Sequence, residues 1–186
     1  MSAFSEIPLF RYRMVMADPP WSFATYSAKG HGKSAHAQYQ CMSLEEIKAL
    51  PVAQIAAPDA YLWLWATNPM LRQAFEVLDA WGARFVTAGH WCKTTKGGGL
   101  AFGTGYVLRS AGEPFLIGAW GKPRVASRSI RSVVWARARE HSRKPDEAFA
   151  AAEKMIDGPR IELFSRESRL GWETWGQEAC MFDLAS

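Results

Sequence analysis

Short apolar runs of strand length alternate along this chain with capped helical stretches, a pattern that a mostly parallel sheet covered by helices accommodates and few other architectures do. Met14-Val15-Met16-Ala17 is the first run. Ser43 with Glu46 makes a capping box, and the helix it opens must end before Pro51. Ala60 to Ala66 (AYLWLWA) is continuously apolar and aromatic. Asn68 and Pro69 then supply the N-cap and first position of a helix that continues to Trp81 and is stopped by Gly82. Further strands are predicted at Phe85 to Trp91, at Pro114 to Trp120 and, shorter, at Ser132 to Ala136. Pro145 starts a helix through Ile156, Asp157-Gly158-Pro159 terminates it, and Arg160 to Phe164 is the strand that follows. The expected fold class is α/β, a largely parallel sheet with helices on both faces. The length of 186 residues predicts a single domain over 1–186.

Where the first strand ends stand Asp18-Pro19-Pro20-Trp21, at the carboxyl edge on which open α/β sheets hold their ligands. The chemistry these residues suit is the activation of an adenine amino group. That nitrogen is a poor nucleophile because its lone pair is delocalised into the ring. An ionised Asp18 can accept one amino hydrogen, and the carbonyl of Pro19 or Pro20 can accept the other, which favours a pyramidal nitrogen with its lone pair directed outward. Two prolines stiffen the turn and bring no N–H to compete for the carboxylate. Trp21 offers a flat face for a base. Taken in isolation, the same four residues also describe a strand-ending turn whose aspartate caps a loop and whose tryptophan packs in the core.

Composition narrows the classes. The hydrophobic fraction of 48% and the charged fraction of 22% are those of a soluble globular protein, and no apolar stretch has the length of a membrane span. The start, MSAFSEIPLFRYR, lacks the pattern of a signal peptide, so a cytoplasmic location is expected. Cys41, Cys92 and Cys180 have no zinc or disulfide spacing and read as buried thiols. His31, His36, His90 and His141 show no ligand spacing either, and no metal is expected. Positive charge is concentrated between Lys122 and Lys144, where eight basic residues face one acid, Glu140, giving +7 against a net +4 for the whole chain. Such a segment suits a phosphate backbone, and a solvated face is the plainer reading. Ser22 to Gln40 reads as a loop over a site, with His31 and His36 able to touch a substrate. The glycine-rich stretch from Lys93 to Glu113 reads either as a flap around a flipped base or as an ordinary surface loop. It has no Gly-Lys-Ser/Thr ending, and Gly103-Thr104-Gly105 is not extended to a third glycine, so neither ATP nor NAD is indicated.

Several segments in order resemble one family: the N6-adenine methyltransferases related to the catalytic subunit of the messenger-RNA adenosine methyltransferase, in its bacterial and phage branch. They are Met16 to Trp21, Tyr39 with Met42 to Ile47, Leu62 to Pro69, Trp91 to Lys93, Gly103 to Tyr106, Arg109 with Glu113, and His141 to Glu147. Arg160 to Phe164, Arg166 and Gly171 to Gly176 complete the series. The resemblance implies a Rossmann-like methyltransferase fold that uses S-adenosylmethionine, with the catalytic motif placed ahead of the main cofactor-binding strand. It implies catalysis by Asp18, Pro19, Pro20 and Trp21, and cofactor contacts from Asp18, Lys144, Glu162, Arg166 and Gln177. Substrate contacts are expected from Trp21, Tyr39, Lys93, Arg109 and Lys144. Two departures stand out: the family's upstream cofactor-contacting segment is short or missing before Asp18, and Gln177 replaces the usual asparagine after the Trp-Gly pair. The expected reaction is methyl transfer to adenine N6 in DNA. The same reaction on RNA, or an inactive nucleic-acid-binding subunit, are the alternatives. Nucleic acid is the expected partner, a homodimer or partner subunit is compatible with the chain, and no membrane is expected.

Overall fold

Six parallel strands and one reversed strand form the core of the computed structural model, which describes residues 4–22, 41–105, 107–139, 143–176 and 183. β1 (Tyr12–Ala17), β2 (Ala56–Trp65), β3 (Arg84–Thr94), β4 (Gly112–Trp120), β5 (Val133–Arg137), β6 (Arg160–Leu163) and β7 (Glu173–Trp175) make one sheet in the order β5-β3-β4-β2-β1-β6-β7. β1 lies parallel between β2 and β6, and β6–β7 and β3–β5 are parallel pairs. Only β4 opposes its neighbours, β2 and β3. The largely parallel α/β architecture expected from the alternation is thus present.

β1 is central, and Met14, Val15, Met16 and Ala17 are all wholly buried, which is why that strand reads as an unbroken apolar run rather than an alternating one. The two-residue period of the strands sorts their side chains. Val15, Ala17, Leu62 and Leu64 meet the helices α1 (Leu44–Lys48), α2 (Val52–Ile55) and α3 (Leu71–Ala80) on one face. Met14, Met16, Trp63 and Trp65 meet α4 (Asp146–Met155) on the other. Trp63 stacks on Phe115 of β4 with ring centroids 4.1 Å apart, fastening the reversed strand into the second layer. Among the described residues no helix is long and apolar enough to cross a membrane, and no group of three His, Cys, Asp or Glu side chains could hold a metal ion.

The capping box at Ser43 forms as expected: the Glu46 amide donates to Oγ at 3.2 Å, and the Ser43 amide donates to the Glu46 carboxylate at 2.8 Å. Ser43→Ala should therefore cost about 1 kcal/mol in urea unfolding, and an unchanged midpoint would show that the cap contributes nothing. Farther on, the helix starts later than expected. Asn68–Met70 is a 3₁₀ turn and the α-helix begins at Leu71, because Pro69 brings no N–H and no side chain caps either segment. Gly82 ends the stretch with φ of +69°, the left-handed conformation glycine adopts without penalty. Neither α2 nor β7 is foreseen from the sequence, both being too short to carry a period.

Candidate active site

β2, β1 and β6 run parallel, so their carboxyl ends open on one edge of the sheet, and Asp18 is the first residue beyond β1. Its amide donates to the Leu163 carbonyl at 3.4 Å, continuing the β1–β6 ladder by one residue. The double-proline turn is then tied on both sides. The Trp21 amide donates to the Pro19 carbonyl at 2.8 Å, and the Met42 amide donates to the Pro20 carbonyl at 3.1 Å. Each of the two carbonyls thus already accepts one backbone donor and keeps one lone pair for a further one.

Trp21 also differs from expectation. Its ring is 4% exposed, and its indole N–H donates to the Trp65 carbonyl at 3.2 Å. It holds the turn against β2 from within the core, so it is a support of the motif and not an open stacking face.

The Asp18 side chain meets Lys144 just ahead of α4, Oδ2 to Nζ at 2.8 Å. Lys144 Nζ also lies 3.1 Å from Glu113 Oε2 on β4, and Glu113 Oε1 bonds Lys93 at the end of β3. A chain of alternating charge, Asp18–Lys144–Glu113–Lys93, thus crosses four elements. Burial opposes the charge on Lys144, but the Asp18 and Glu113 carboxylates outweigh it and raise its pKa above the ordinary lysine value. Burial likewise works against the Glu113 carboxylate, and Lys144 and Lys93 overcome it, pulling the group down to about 2. The Lys144 ammonium also sits 5.3 Å from the centre of the Trp65 ring, and Lys93 sits 4.5 Å from that of Trp91.

Beside this chain lies a pocket lined by Asp18, Arg143, Lys144, Glu162, Phe164, Arg166 and Glu167. Glu162, on β6, is buried and accepts a hydrogen bond from the Ser165 hydroxyl at 2.7 Å. Desolvation raises its pKa to about 7 against the hydrogen bond from Ser165, and the Asp18 charge adds to the rise. Phe164 follows with φ of +62°, uncommon for a residue with a side chain, and turns the chain at the rim of the pocket. Arg143 pairs with Glu167 at 2.5 Å, and Arg169 bridges Glu167 at 2.7 Å and Asp146 at 2.8 Å. That network stiffens the outer wall of the pocket.

Of the residues singled out in the sequence, the fold gathers Asp18, Pro19, Pro20, Lys144, Glu162 and Arg166 at one edge, with Lys93 joined through Glu113. Arg109 lies apart: it is exposed on the glycine-rich loop, 5.6 Å from the centre of the Phe102 ring. Tyr39 and Gln177 lie outside the described residues. The parts of Glu113, Arg143, Ser165 and Glu167 are missed by sequence reasoning. Glu113 did leave a signal: it is the one charged residue in the otherwise apolar strand GEPFLIGAW.

The sheet order and the charged pocket at its carboxyl edge define an α/β protein with a ligand site at the ends of its central strands. Residues 12–178 match the family model described as MT-A70. The chain is 30% identical to the Type II methyltransferase M.MunI of Mycoplasma sp over 94% of its own length and 81% of that protein. It is 30% identical to the N(6)-adenosine-methyltransferase subunit METTL3 of Danio rerio and 26% identical to the human N(6)-adenine-specific methyltransferase METTL4. Those matches cover 91% and 94% of this chain but only 28% and 40% of the relatives. The chain belongs to the MT-A70 family.

Proposed function

We propose that this protein transfers a methyl group from S-adenosylmethionine to the N6 amino group of adenine in DNA. The observation that carries the reading is the Asp18 carboxylate fixed by a buried lysine at a double-proline turn, on the edge of a pocket lined with further acids and cations. The pocket's donor set suits the cofactor. Glu162 is a buried carboxylate with a single hydroxyl partner, able to accept from a ribose diol, and the mixed charges of Asp18, Lys144, Arg143 and Arg166 complement an amino-acid zwitterion.

When bound, S-adenosylmethionine supplies an electrophilic methyl group on a sulfonium. The residues of this chain prepare the acceptor. Lys144 holds Oδ2 of Asp18, leaving the other oxygen to accept one amino hydrogen, while the remaining lone pair of a proline carbonyl accepts the second. This draws the nitrogen lone pair out of the ring and aims it along one line, so positioning supplies much of the acceleration. A methylated amino nitrogen would have a proton to shed, and the Asp18 oxygen that faces it would be placed to take it. A protonated amino group on a purine is strongly acidic, so even a lysine-paired carboxylate is base enough to receive it.

DNA is preferred over RNA because a relative of comparable length is named a type II methyltransferase, whereas the relatives named for adenosine that are reported above are several times longer than their matching part. Incubating the protein with labelled S-adenosylmethionine and matched DNA and RNA oligonucleotides, followed by nucleoside mass spectrometry, tests the reading. N6-methyldeoxyadenosine is expected; product in RNA alone would move the substrate assignment, and no product in either polymer would refute the activity.

A pH dependence follows from Glu162. With its pKa raised to about 7, the carboxylate that accepts ribose hydroxyls is mostly protonated at pH 6 and mostly ionised at pH 8. Affinity for S-adenosylmethionine should therefore tighten by about tenfold over that interval, one pKa unit being worth about 1.4 kcal/mol. In Glu162→Gln the profile should be flat and the affinity low throughout. Calorimetric titration at both pH values decides it, and a wild-type profile equally flat would remove Glu162 from the cofactor site.

A further inference from the structure

The eight cations between Lys122 and Lys144 divide into two groups once folded. Arg139, Arg143 and Lys144 are ion-paired at the pocket. Lys122, Arg124, Arg128, Arg131 and Arg137 are exposed, and none forms an ion pair among the described residues. No Asp or Glu occurs from 114 to 139, and the Asp59 carboxylate meets this stretch at its start, accepting from the Lys122 amide at 2.6 Å.

Lys122 and Arg124 follow the carboxyl end of the reversed strand β4, at the edge away from Asp18, where the Tyr61 hydroxyl donates to the Pro123 carbonyl at 3.0 Å, whereas Arg131 and Arg137 flank and end β5. β5 is the edge strand of the sheet, and its alternation buries Val134 and Ala136 while turning Val133, Trp135 and Arg137 outward. Val133 is 49% and Trp135 60% exposed, in a protein whose other tryptophans with a stated burial lie in or against the core. His90 and Cys92 of β3 stand opposite Val133 and Trp135 in the parallel register. The helices α1 to α3 cover this face over β1, β2 and β4. The carboxyl end of β5 is level with the catalytic edge: Ala136 is the register partner of Lys93, whose ammonium belongs to the Asp18–Lys144–Glu113–Lys93 chain. Four strand spacings separate β5 from β1, about 19 Å at about 4.8 Å each. At about 3.4 Å per nucleotide along a duplex strand, that is about five or six nucleotides.

Resting on the proposed nucleic-acid substrate, we propose that the outward face of β5 with the residue group just before it (Arg131, Trp135, Arg137) forms the surface on which the substrate's phosphate backbone runs outward from the target adenine. The arginines contact phosphates, and the Trp135 ring stacks on a flanking sugar or base. Charge decides between a polynucleotide and a second copy of the chain. A two-fold pairing of β5 edges would bring like-charged arginines together, and a polyanion meets them with opposite charge.

The test uses the full chain and a fluorescent 20-base-pair duplex containing adenine, with anisotropy recorded across a range of NaCl concentrations. In the double variant Arg131→Gln and Arg137→Gln, the slope of log affinity against log salt should fall by about 2, at about 0.9 per lost phosphate contact. Trp135→Ala should weaken binding about tenfold at every salt concentration, and Trp135→Phe should restore most of it. An unchanged thermal midpoint confirms that each variant is folded. An unaltered salt slope in the arginine variant, with a wild type that methylates DNA, would overturn this surface and leave the activity standing. Failure of the wild type to bind or methylate either polymer would overturn both. A dimer in sedimentation that Trp135→Ala dissociates, with the salt slope unaltered, would assign the edge to self-association and overturn the proposal.

Discussion

Asp18→Asn should lower single-turnover methyl transfer by at least about 10²–10³-fold, the usual loss when a preorganised charge-stabilising contact is removed from a reacting atom. The substitution keeps the shape of the side chain, so the turn between Ala17 and Trp21 stays in place through its backbone bonds to Leu163 and Met42. What changes is the sign of the contact. An amide can turn its NH₂ toward the adenine amino hydrogens, and donor then meets donor. Lys144, 2.8 Å away in the wild type, loses its nearest carboxylate and is left with Glu113 at 3.1 Å. Asp18→Ala removes the acceptor altogether and should abolish transfer. In both variants cofactor binding should survive in part, because Glu162 and Arg166 remain in the lining of the pocket. A loss of rate without a parallel loss of cofactor affinity is the expected signature, and wild-type turnover in either variant would refute the assignment.

Lys144→Met should destabilise the fold by about 3–5 kcal/mol, the cost associated with leaving one side of a buried ion pair in place. Here two carboxylates are left, Asp18 and Glu113, with Lys93 as the remaining cation on Glu113. Without the lysine, Asp18 loses the cation that fixes it beside the turn, and methyl transfer should fall as well. The acid limb carries a second readout. In the wild type Glu113 is depressed from 4.5 to about 2, so its stabilisation is complete above about pH 4.5 and is lost as the pH falls toward 2. In the variant much of that dependence should vanish. Urea midpoints at pH 7 and along the fall to pH 2 measure both effects. A variant as stable as the wild type at pH 7 would show that the charge chain contributes nothing to the fold.

Local order was largely readable in the residues. β1 carries an unbroken apolar run, and β2 and β4 carry one over residues 60–65 and 114–120, because those stretches are largely buried on both faces, and the Ser43 cap acts within three residues. The late start of α3 was less so, since an Asn-Pro pair is compatible with both an α-helical and a 3₁₀ first turn. Reversal of β4 has no trace in its composition: GEPFLIGAW would serve a parallel strand equally well. At the site, Asp18 and Glu162 were legible as acids at the end of, or within, apolar strands. Glu113 has the same local signature, but its function lies in bridging Lys93 and Lys144, a relation absent from any window of sequence.

Trp21 marks the same division. Next to two prolines at a strand end, its ring could equally face a base or the core; burial against β2 and the bond to the Trp65 carbonyl chose the core. Short-range forces, the apolar period, proline geometry and capping, operate between residues a few positions apart, and by itself the sequence determined the elements and the chemistry carried at their ends. Strand order, the direction of β4, the pairing of Lys144 with two distant carboxylates and the bare edge at β5 depend on contacts between segments tens of residues apart. Those were decided only when the chain closed on itself, because a buried charge accepts only the partners that the assembled sheet brings within about 3 Å.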